Sequence, residues 1–247
     1  MDRRYFLHRE VFFCISGTDA VFCDVRTDDY IAFPMAVTSE FHIALVGWPS
    51  SLESQRDKGQ IAAEETYETL NEMVARGLLT TNSAEGKEAV PFESPTPTSS
   101  LWDDHSTLSR PNVLRYVPSF FASARAAAGA LRASVAARDI GPWKITLELI
   151  EAVRERRECS SMTWNADKAR RLAEVARELR PWFNEAPVCT LDSLINIEFF
   201  ARHSLYPEWV FGVQADPAQA HCWVQHDEML INDTVDVVTQ FTPIMAA

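Results

Sequence analysis

The chain contains 247 residues, 47% of them hydrophobic, and carries a formal net charge of −12 at pH 7. This length allows one large domain or two modest ones, and the acidity argues against nucleic acid or an anionic membrane as a partner because both would repel the chain. No apolar run approaches the roughly 18 residues of a membrane span, and the first residues lack a secretory signal, so we expect a cytoplasmic protein.

The first 34 residues alternate between short apolar runs and polar turns. β-Branched and aromatic residues cluster in the runs, which is typical of strands, and the turns carry Gly, Asp and Thr. The predicted strands are residues 5–7, 11–15, 20–25 and 30–33. We expect them to form a small antiparallel sheet.

Helical periodicity then replaces this alternation. Residues 38–48 indicate a short helix, and residues 64–76 indicate a longer one that Gly77 ends. Strands followed by helices predict a small α+β module, which we assign to residues 1–85.

The composition changes after this module. Residues 86–111 are rich in Pro, Ser and Thr and predict a linker. Residues 112–181 then show helical stripes of apolar side chains. The last part alternates again, with predicted strands at 209–213, 221–225 and 229–233. The second domain, residues 112–247, is therefore expected to be a helical half followed by a sheet that contains a hairpin.

The spacing of cysteine and histidine residues limits the kinds of site that the chain can form. The chain has five cysteines, an odd number, and none lie at the spacing of a CxxC metal site. The six histidines show no metal-ligand spacing either, so we expect no metal and no cofactor. Reduced thiols are the expectation, and one of them is a candidate nucleophile.

Cys189 lies where a proline-containing loop enters a predicted helix. A thiol in the first helical turn is close to the positive end of the helix dipole, which stabilises the thiolate and lowers the pKa of the thiol. A buried cysteine can equally be an ordinary small apolar residue, so the position alone does not establish a nucleophile.

His221 opens one strand of the predicted hairpin, and Asp233 ends the next one. Both can lie at one edge of the sheet, where the carboxylate would hold the imidazole. Taken singly, His221 also fits a hydrogen-bonded histidine at a sheet edge, and Asp233 also fits a turn. With Cys189 they give a nucleophile, a base and an orienting acid in that order.

The spacing of these three residues resembles that of a known family. Cys189 precedes His221 by 32 residues, His221 precedes Asp233 by 12, and the base stands in Ala220-His221-Cys222-Trp223-Val224-Gln225. These motifs resemble the transglutaminase-like cysteine protease domain of the lasso-peptide maturation B proteins, over about residues 112–245. The resemblance implies a papain/transglutaminase-like fold and a Cys-His-Asp triad that hydrolyses the peptide bond between a leader and its core.

Two positions depart from that family. Many members have Arg two or three residues after the nucleophile, whereas Asp192 stands here. Because an acid beside a thiolate raises the pKa of the thiol, we expect Asp192 to point away along the helix or to pair with a group that the sequence does not identify. Many members have Ala after the active-site His, whereas Cys222 stands here, and strand alternation predicts that it packs on the side opposite His221.

The N-terminal motifs resemble a second element. Val21-Phe22-Cys23-Asp24-Val25-Arg26, Gly47-Trp48-Pro49 and Arg76-Gly77-Leu78-Leu79-Thr80 are similar to the PqqD-like recognition element of peptide-modifying enzymes. This resemblance implies a winged helix-turn-helix module that binds leader peptides. Residues 1–85 hold seven Arg or Lys against fourteen Asp or Glu, and that charge has the wrong sign for a DNA-binding winged helix.

We expect the leader to add a strand to this module and to pack on its longer helix. The candidate leader-binding residues are Tyr30, Ile31, Phe33, Tyr67 and Val74. The same side chains also fit the core of the module itself, and for Leu70 in the same helix the core is the better interpretation.

The two resemblances together imply an α+β protein, with a winged helix-turn-helix module before the peptidase domain. They imply two partners, the lasso precursor peptide and an ATP-dependent macrolactam synthetase. The backbone N–H of Cys189 would bind the oxyanion, with Asn184 as a candidate second donor that also fits a helix C-cap. Three alternatives stay open: a transglutaminase or amidase, a non-catalytic adaptor that presents the precursor to the synthetase, and a winged-helix regulator, against which the acidity argues.

Overall fold

The computed structural model describes residues 4–49, 63–102, 113–138, 147–160, 163–183 and 188–247. The chain divides into two compact units. Unit 1 comprises Met1–Glu93 with Val213–Gln219, and unit 2 comprises Ser94–Gly212 with Ala220–Ala247. Helices and sheets occur in both, so the fold is α+β as predicted. In the described part of the chain, no helix combines the length and the apolar character that crossing a bilayer requires.

Unit 1 is built mainly from short strands. These are β1 (Phe6–His8), β2 (Val11–Ser16), β3 (Asp19–Asp24), β4 (Asp29–Pro34), β5 (Leu79–Thr80) and β6 (Gly86–Lys87). Its described helices are α1 (Met35–Thr38), a 3-10 turn at Phe41–Ile43 and α2 (Ala63–Ala75). The strands form two sheets, ordered β2-β3-β4 and β5-β1-β6, and all their pairings are antiparallel.

The four strands predicted near the N-terminus are confirmed, but they do not form one sheet. β1 pairs with β5 in the register Phe6 to Thr80, whereas β2, β3 and β4 form a separate antiparallel meander. Alternation identifies each strand from local sequence, but the partner of β1 lies more than seventy residues away.

The helix predicted over residues 38–48 is wrong. Only α1 and the 3-10 turn form there, and the following backbone turns to β1 instead of continuing a helix. The N–H of Tyr5 donates to the carbonyl of Ala44 at 2.9 Å, and the N–H of Val46 donates to the carbonyl of Tyr5 at 2.9 Å. These long-range hydrogen bonds use the backbone N–H and carbonyl groups that a helix would have paired with each other. Leu45 and Trp48 are buried in the core.

The second predicted helix and its stop are confirmed. α2 ends before Gly77, whose φ of +78° is the left-handed conformation that glycine adopts freely. The N–H of Leu78 donates to the carbonyl of Met73 at 2.9 Å and closes the helix end. Leu70 is fully buried in the core of unit 1, as expected.

Unit 2 combines helices with one five-stranded sheet. Its described helices are α3 (Val117–Arg138), α4 (Leu147–Glu158), α5 (Ala166–Leu179), a 3-10 turn at Arg180–Trp182, α6 (Cys189–Ala201) and α7 (Val235–Val238). Its strands are β7 (Ser99–Ser100), β8 (Glu208–Gln214), β9 (Gln219–His226), β10 (Met229–Leu230) and β11 (Thr242–Ala246), in the order β11-β8-β9-β10-β7. The last two residues of β8 and the first residue of β9 belong to unit 1.

The predicted helical half and hairpin agree with these elements. The helical prediction over 112–181 corresponds to α3, α4 and α5, and its stretches at 139–146 and 161–162 lie outside the described residues. α3 packs most extensively against α6, with Phe120 against Phe199 at a ring separation of 5.5 Å. This contact anchors α6 in the core of unit 2.

The region predicted as a linker contains two strands, β6 in unit 1 and β7 in unit 2. Gln225, which is fully buried, holds the beginning of unit 2. Its side-chain amide donates to Ser94 Oγ at 3.2 Å and to the Pro95 carbonyl at 3.0 Å. Residues 94–102 are therefore part of unit 2, although their sequence lacks the alternation of a strand.

Candidate active site

Cys189 is the first residue of α6. Val188 before it is extended, with φ −121° and ψ 104°, so the chain enters the helix at the thiol. Leu194 and Phe199 farther along α6 are buried and fix the helix in the core. The half-buried thiol therefore lies at the positive end of the helix dipole, as the sequence predicted.

His221 on β9 and Asp233 after β10 are brought together at one edge of the sheet. His221 Nε2 lies 2.6 Å from Asp233 Oδ2. The second carboxylate oxygen, Oδ1, accepts the Thr234 N–H at 2.8 Å, which fixes the orientation of the carboxylate. Because Nε2 faces Asp233, the ring nitrogen left for a thiol is Nδ1.

Cys189 and His221 interact directly and shift each other's pKa. Hydrogen bonds with Cys222 first and with His221 next lower the pKa of Cys189 to about 4, although burial opposes them. Burial also lowers the pKa of His221, but hydrogen bonds with Asp233 and Cys189 outweigh it and raise that pKa to about 9. The neutral range therefore favours a thiolate beside an imidazolium.

Asp192 pairs with a cation, as one of our two expectations required. Arg180 Nη2 lies 2.6 Å from Asp192 Oδ2, and the guanidinium lies over the Trp102 ring at 5.4 Å. The Asp192 side chain is 11% exposed, so the partner neutralises a mostly buried charge one turn from the thiol. Sequence reasoning did not identify Arg180, because it belongs to the turn after α5.

Cys222 is buried, with 3% of its surface exposed, which agrees with the packing role expected for it. Its sulfur lies 3.9 Å from Ser193 Oγ on α6. Cys222 thus packs between β9 and α6.

Asp233 is held by a residue that the sequence analysis missed. Ser100 Oγ on β7 donates to the backbone carbonyl of Asp233 at 2.5 Å. The preceding Asn232 accepts the Val224 N–H at 2.7 Å through its side chain. No local pattern marks Ser100, because the two-residue strand β7 pairs with β10, 130 positions away.

The candidate leader-binding residues lie in unit 1, on β4 and α2. Tyr30 is 36% exposed. The other four, Ile31, Phe33, Tyr67 and Val74, are partly buried and pack against the core of unit 1. The structure therefore gives these four the packing role that the sequence analysis left open.

Two remaining points concern donors and metals. Asn184, the candidate second oxyanion donor, lies outside the described residues. Within the described ranges, no three or more His, Cys, Asp or Glu side chains are grouped as they would be to hold a metal ion.

Comparison with known families agrees with this architecture. Residues 127–246 match the family described as the transglutaminase-like superfamily. The matched segment contains Cys189, His221 and Asp233. Neither the curated proteins nor the solved structures gave a match to the chain. The C-terminal part of the chain, over residues 127–246, is thus a transglutaminase-like domain.

Proposed function

We propose that the chain is a leader peptidase of lasso-peptide biosynthesis. It binds a ribosomal precursor through the leader and hydrolyses the bond between leader and core. The observation that carries this proposal is a thiol at a helix N-terminus together with an imidazole that lowers its pKa and a carboxylate 2.6 Å from that imidazole.

The charges of the three residues support nucleophilic catalysis. The Cys189 thiolate attacks the carbonyl carbon of the last leader residue, and the oxyanion that forms is bound by the backbone N–H of Cys189. The His221 imidazolium gives its proton to the amine of the departing core. His221 then takes a proton from water, which attacks the thioester and releases the leader as a carboxylic acid.

Asp233 orients the imidazole throughout this cycle. It accepts from Nε2 and so leaves Nδ1 directed to the thiol. The imidazolium that forms is stabilised by the carboxylate, which raises the pKa of His221.

Unit 1 is proposed to be the leader-recognition module, with a winged helix-turn-helix of the PqqD-like kind. β4 is the last strand in the order β2-β3-β4, and an end strand can pair with an extended peptide. Tyr67 and Val74 of α2 pack against the same core as Ile31 and Phe33 of β4. The acidity of residues 1–85 favours a peptide over nucleic acid as the ligand.

The test uses the purified chain and its Cys189→Ala variant with the small precursor encoded beside the gene. We expect intact mass measurement to show a leader fragment and a core fragment, with the mass of one water added, and only when Cys189 is present. Cys159→Ala is the matched control, because that exposed thiol lies outside the triad and its variant should cleave normally.

Other products would indicate the alternatives. Transfer of an acyl group to an amine without addition of water would indicate a transglutaminase, and hydrolysis of a side-chain amide without cleavage of the chain would indicate an amidase. Binding of the precursor without any cleavage, also in the presence of the synthetase and ATP, would contradict the peptidase and indicate an adaptor. The synthetase is proposed as a partner because it would close the released core.

A further inference from the structure

A buried hydrogen bond joins two segments that carry candidate catalytic residues. Ser193 on α6 is completely buried, and Asn232, which follows β10, is 7% exposed. Asn232 Nδ2 donates to Ser193 Oγ at 3.2 Å, across 39 positions of the chain.

The Ser193 hydroxyl connects the helix of the nucleophile to the strand of the base. Ser193 lies one helical turn after Cys189, the first residue of α6. Its hydroxyl donates to the backbone carbonyl of Cys222 at 3.3 Å, and Cys222 directly follows His221 on β9. A single side chain therefore ties α6 to β9 beside both residues.

Asn232 directly precedes Asp233 and takes the place of a backbone acceptor where β9 and β10 separate. The Ile231 N–H donates to the Val224 carbonyl at 2.9 Å, as in an antiparallel ladder. The Val224 N–H, however, donates to Asn232 Oδ1 at 2.7 Å. Because a side chain provides this acceptor, the backbone after Ile231 can leave the ladder, and Asp233 follows at that point.

The hydrogen-bonding capacity of the Ser193 hydroxyl is fully used. A hydroxyl donates one proton and accepts through two lone pairs. Its proton goes to the Cys222 carbonyl, and it accepts from Asn232 Nδ2 and, at 3.9 Å, from the Cys222 thiol. Any displacement of these segments leaves a buried polar group without its partner, so the network favours one arrangement.

We propose that Ser193 and Asn232 are positioning residues of the active site: their hydrogen bond fixes the helix of the nucleophile, the strand of the base and the segment of the orienting acid relative to one another. Such placement matters, because an error of about 1 Å in a reacting group can reduce a rate roughly a hundredfold. This inference rests on the proposed function, in which Cys189, His221 and Asp233 are the triad.

The pKa of the Cys189 thiol reports this placement. The titratable and charged groups on the elements packed around the thiol are Cys222, His221, Asp233, Asp192 and Arg180. Ser193 and Asn232 carry no charge. Their removal therefore changes the pKa of Cys189 only through the positions of those other groups.

The test measures the pH dependence of Cys189 alkylation by iodoacetamide in the full chain, read by peptide mass. Only the thiolate reacts, so the midpoint reports the pKa of Cys189 without any need for a peptide substrate. We expect Ser193→Ala to raise the midpoint by about one pH unit, because the network that holds the segments together loses its central hydroxyl. Ser193→Thr, which keeps the hydroxyl, should restore the midpoint.

Two further variants separate positioning from stability. Ser123→Ala removes another completely buried hydroxyl, which donates to the Ser119 carbonyl within α3 at 2.9 Å, and should leave the midpoint unchanged. Asn232→Ala removes the other half of the pair and should also raise the midpoint, so it serves if Ser193→Ala does not fold.

Urea denaturation of the same variants completes the test. A loss of stability in Ser193→Ala with an unchanged midpoint would overturn the inference, and so would an equal shift in Ser123→Ala. A raised midpoint in Ser193→Ala, in a chain that cleaves no precursor, would support the positioning and contradict only the proposed peptidase.

Discussion

Asp233 Oδ2 lies 2.6 Å from His221 Nε2 and leaves the opposite ring nitrogen for Cys189. The pH profile of peptide cleavage should therefore be bell-shaped. Below about 4 the Cys189 thiolate is protonated, and above about 9 the His221 imidazolium loses its proton, so kcat/KM should be lost on both sides.

Asp233→Asn tests the alkaline side of that profile. Without the carboxylate the pKa of His221 falls, because the bonds that outweigh burial are weakened. We expect the alkaline limb to move to lower pH and kcat/KM at the optimum to fall by about a hundredfold. An unchanged alkaline limb would show that another group controls it.

Removing the cation beside Asp192 should destabilise unit 2. Arg180→Met leaves a carboxylate that is 11% exposed without its partner, and we expect a loss of about 2 kcal/mol in the free energy of unfolding. Arg76→Met breaks an exposed ion pair with Glu72 and should change the free energy of unfolding by less than about 0.5 kcal/mol. Urea denaturation measures both, and equal losses would contradict the role of burial.

Ser100→Ala should loosen the carboxylate of the triad. The hydroxyl that holds the Asp233 carbonyl is lost, and a hydrogen bond of about 1 kcal/mol corresponds to a reduction of roughly fivefold in kcat/KM. Thr98→Ala is the matched control, because its exposed hydroxyl contacts Glu228 away from the triad. Similar effects in both variants would indicate a general weakening of the segment.

Leader binding should depend on the surface of β4. The full chain with Cys189→Ala, which prevents cleavage, serves as the background. There Tyr30→Ala should raise the Kd for a labelled leader about tenfold, which is a loss of about 1.4 kcal/mol in binding free energy. Ile43→Ala removes a more exposed apolar side chain outside β4 and α2 and should leave the Kd unchanged. Fluorescence anisotropy measures both, with a scrambled leader as the ligand control.

The elements predicted from sequence are those specified by local patterns. The alternation in β2, β3, β8 and β9 and the glycine stop after α2 are readable within a few residues. The candidate triad was proposed from its spacing and from the resemblance of the surrounding motif. The structure places His221 Nε2 at 2.6 Å from Asp233 Oδ2.

The features that could not be predicted from the sequence depend on contacts between distant segments. Arg180 and Ser100 act on residues 12 and 133 positions away, and neither stands in a motif. The failed helix over 38–48 has the same cause, because bonds between Ala44, Val46 and Tyr5 replaced local helical bonds. The sequence showed Cys222 as a departure from the family pattern. The contact of its side chain with Ser193 depends on the position of α6, which the sequence did not give.

The attachment of residues 94–102 to Gln225 bears on where this gene can be cut and joined. A fragment that starts at residue 112 would lack β7 and would leave the buried amide of Gln225 without two of its acceptors. A truncated chain should therefore begin before Ser94, which retains both acceptors and the Ser100 hydroxyl that holds the Asp233 carbonyl.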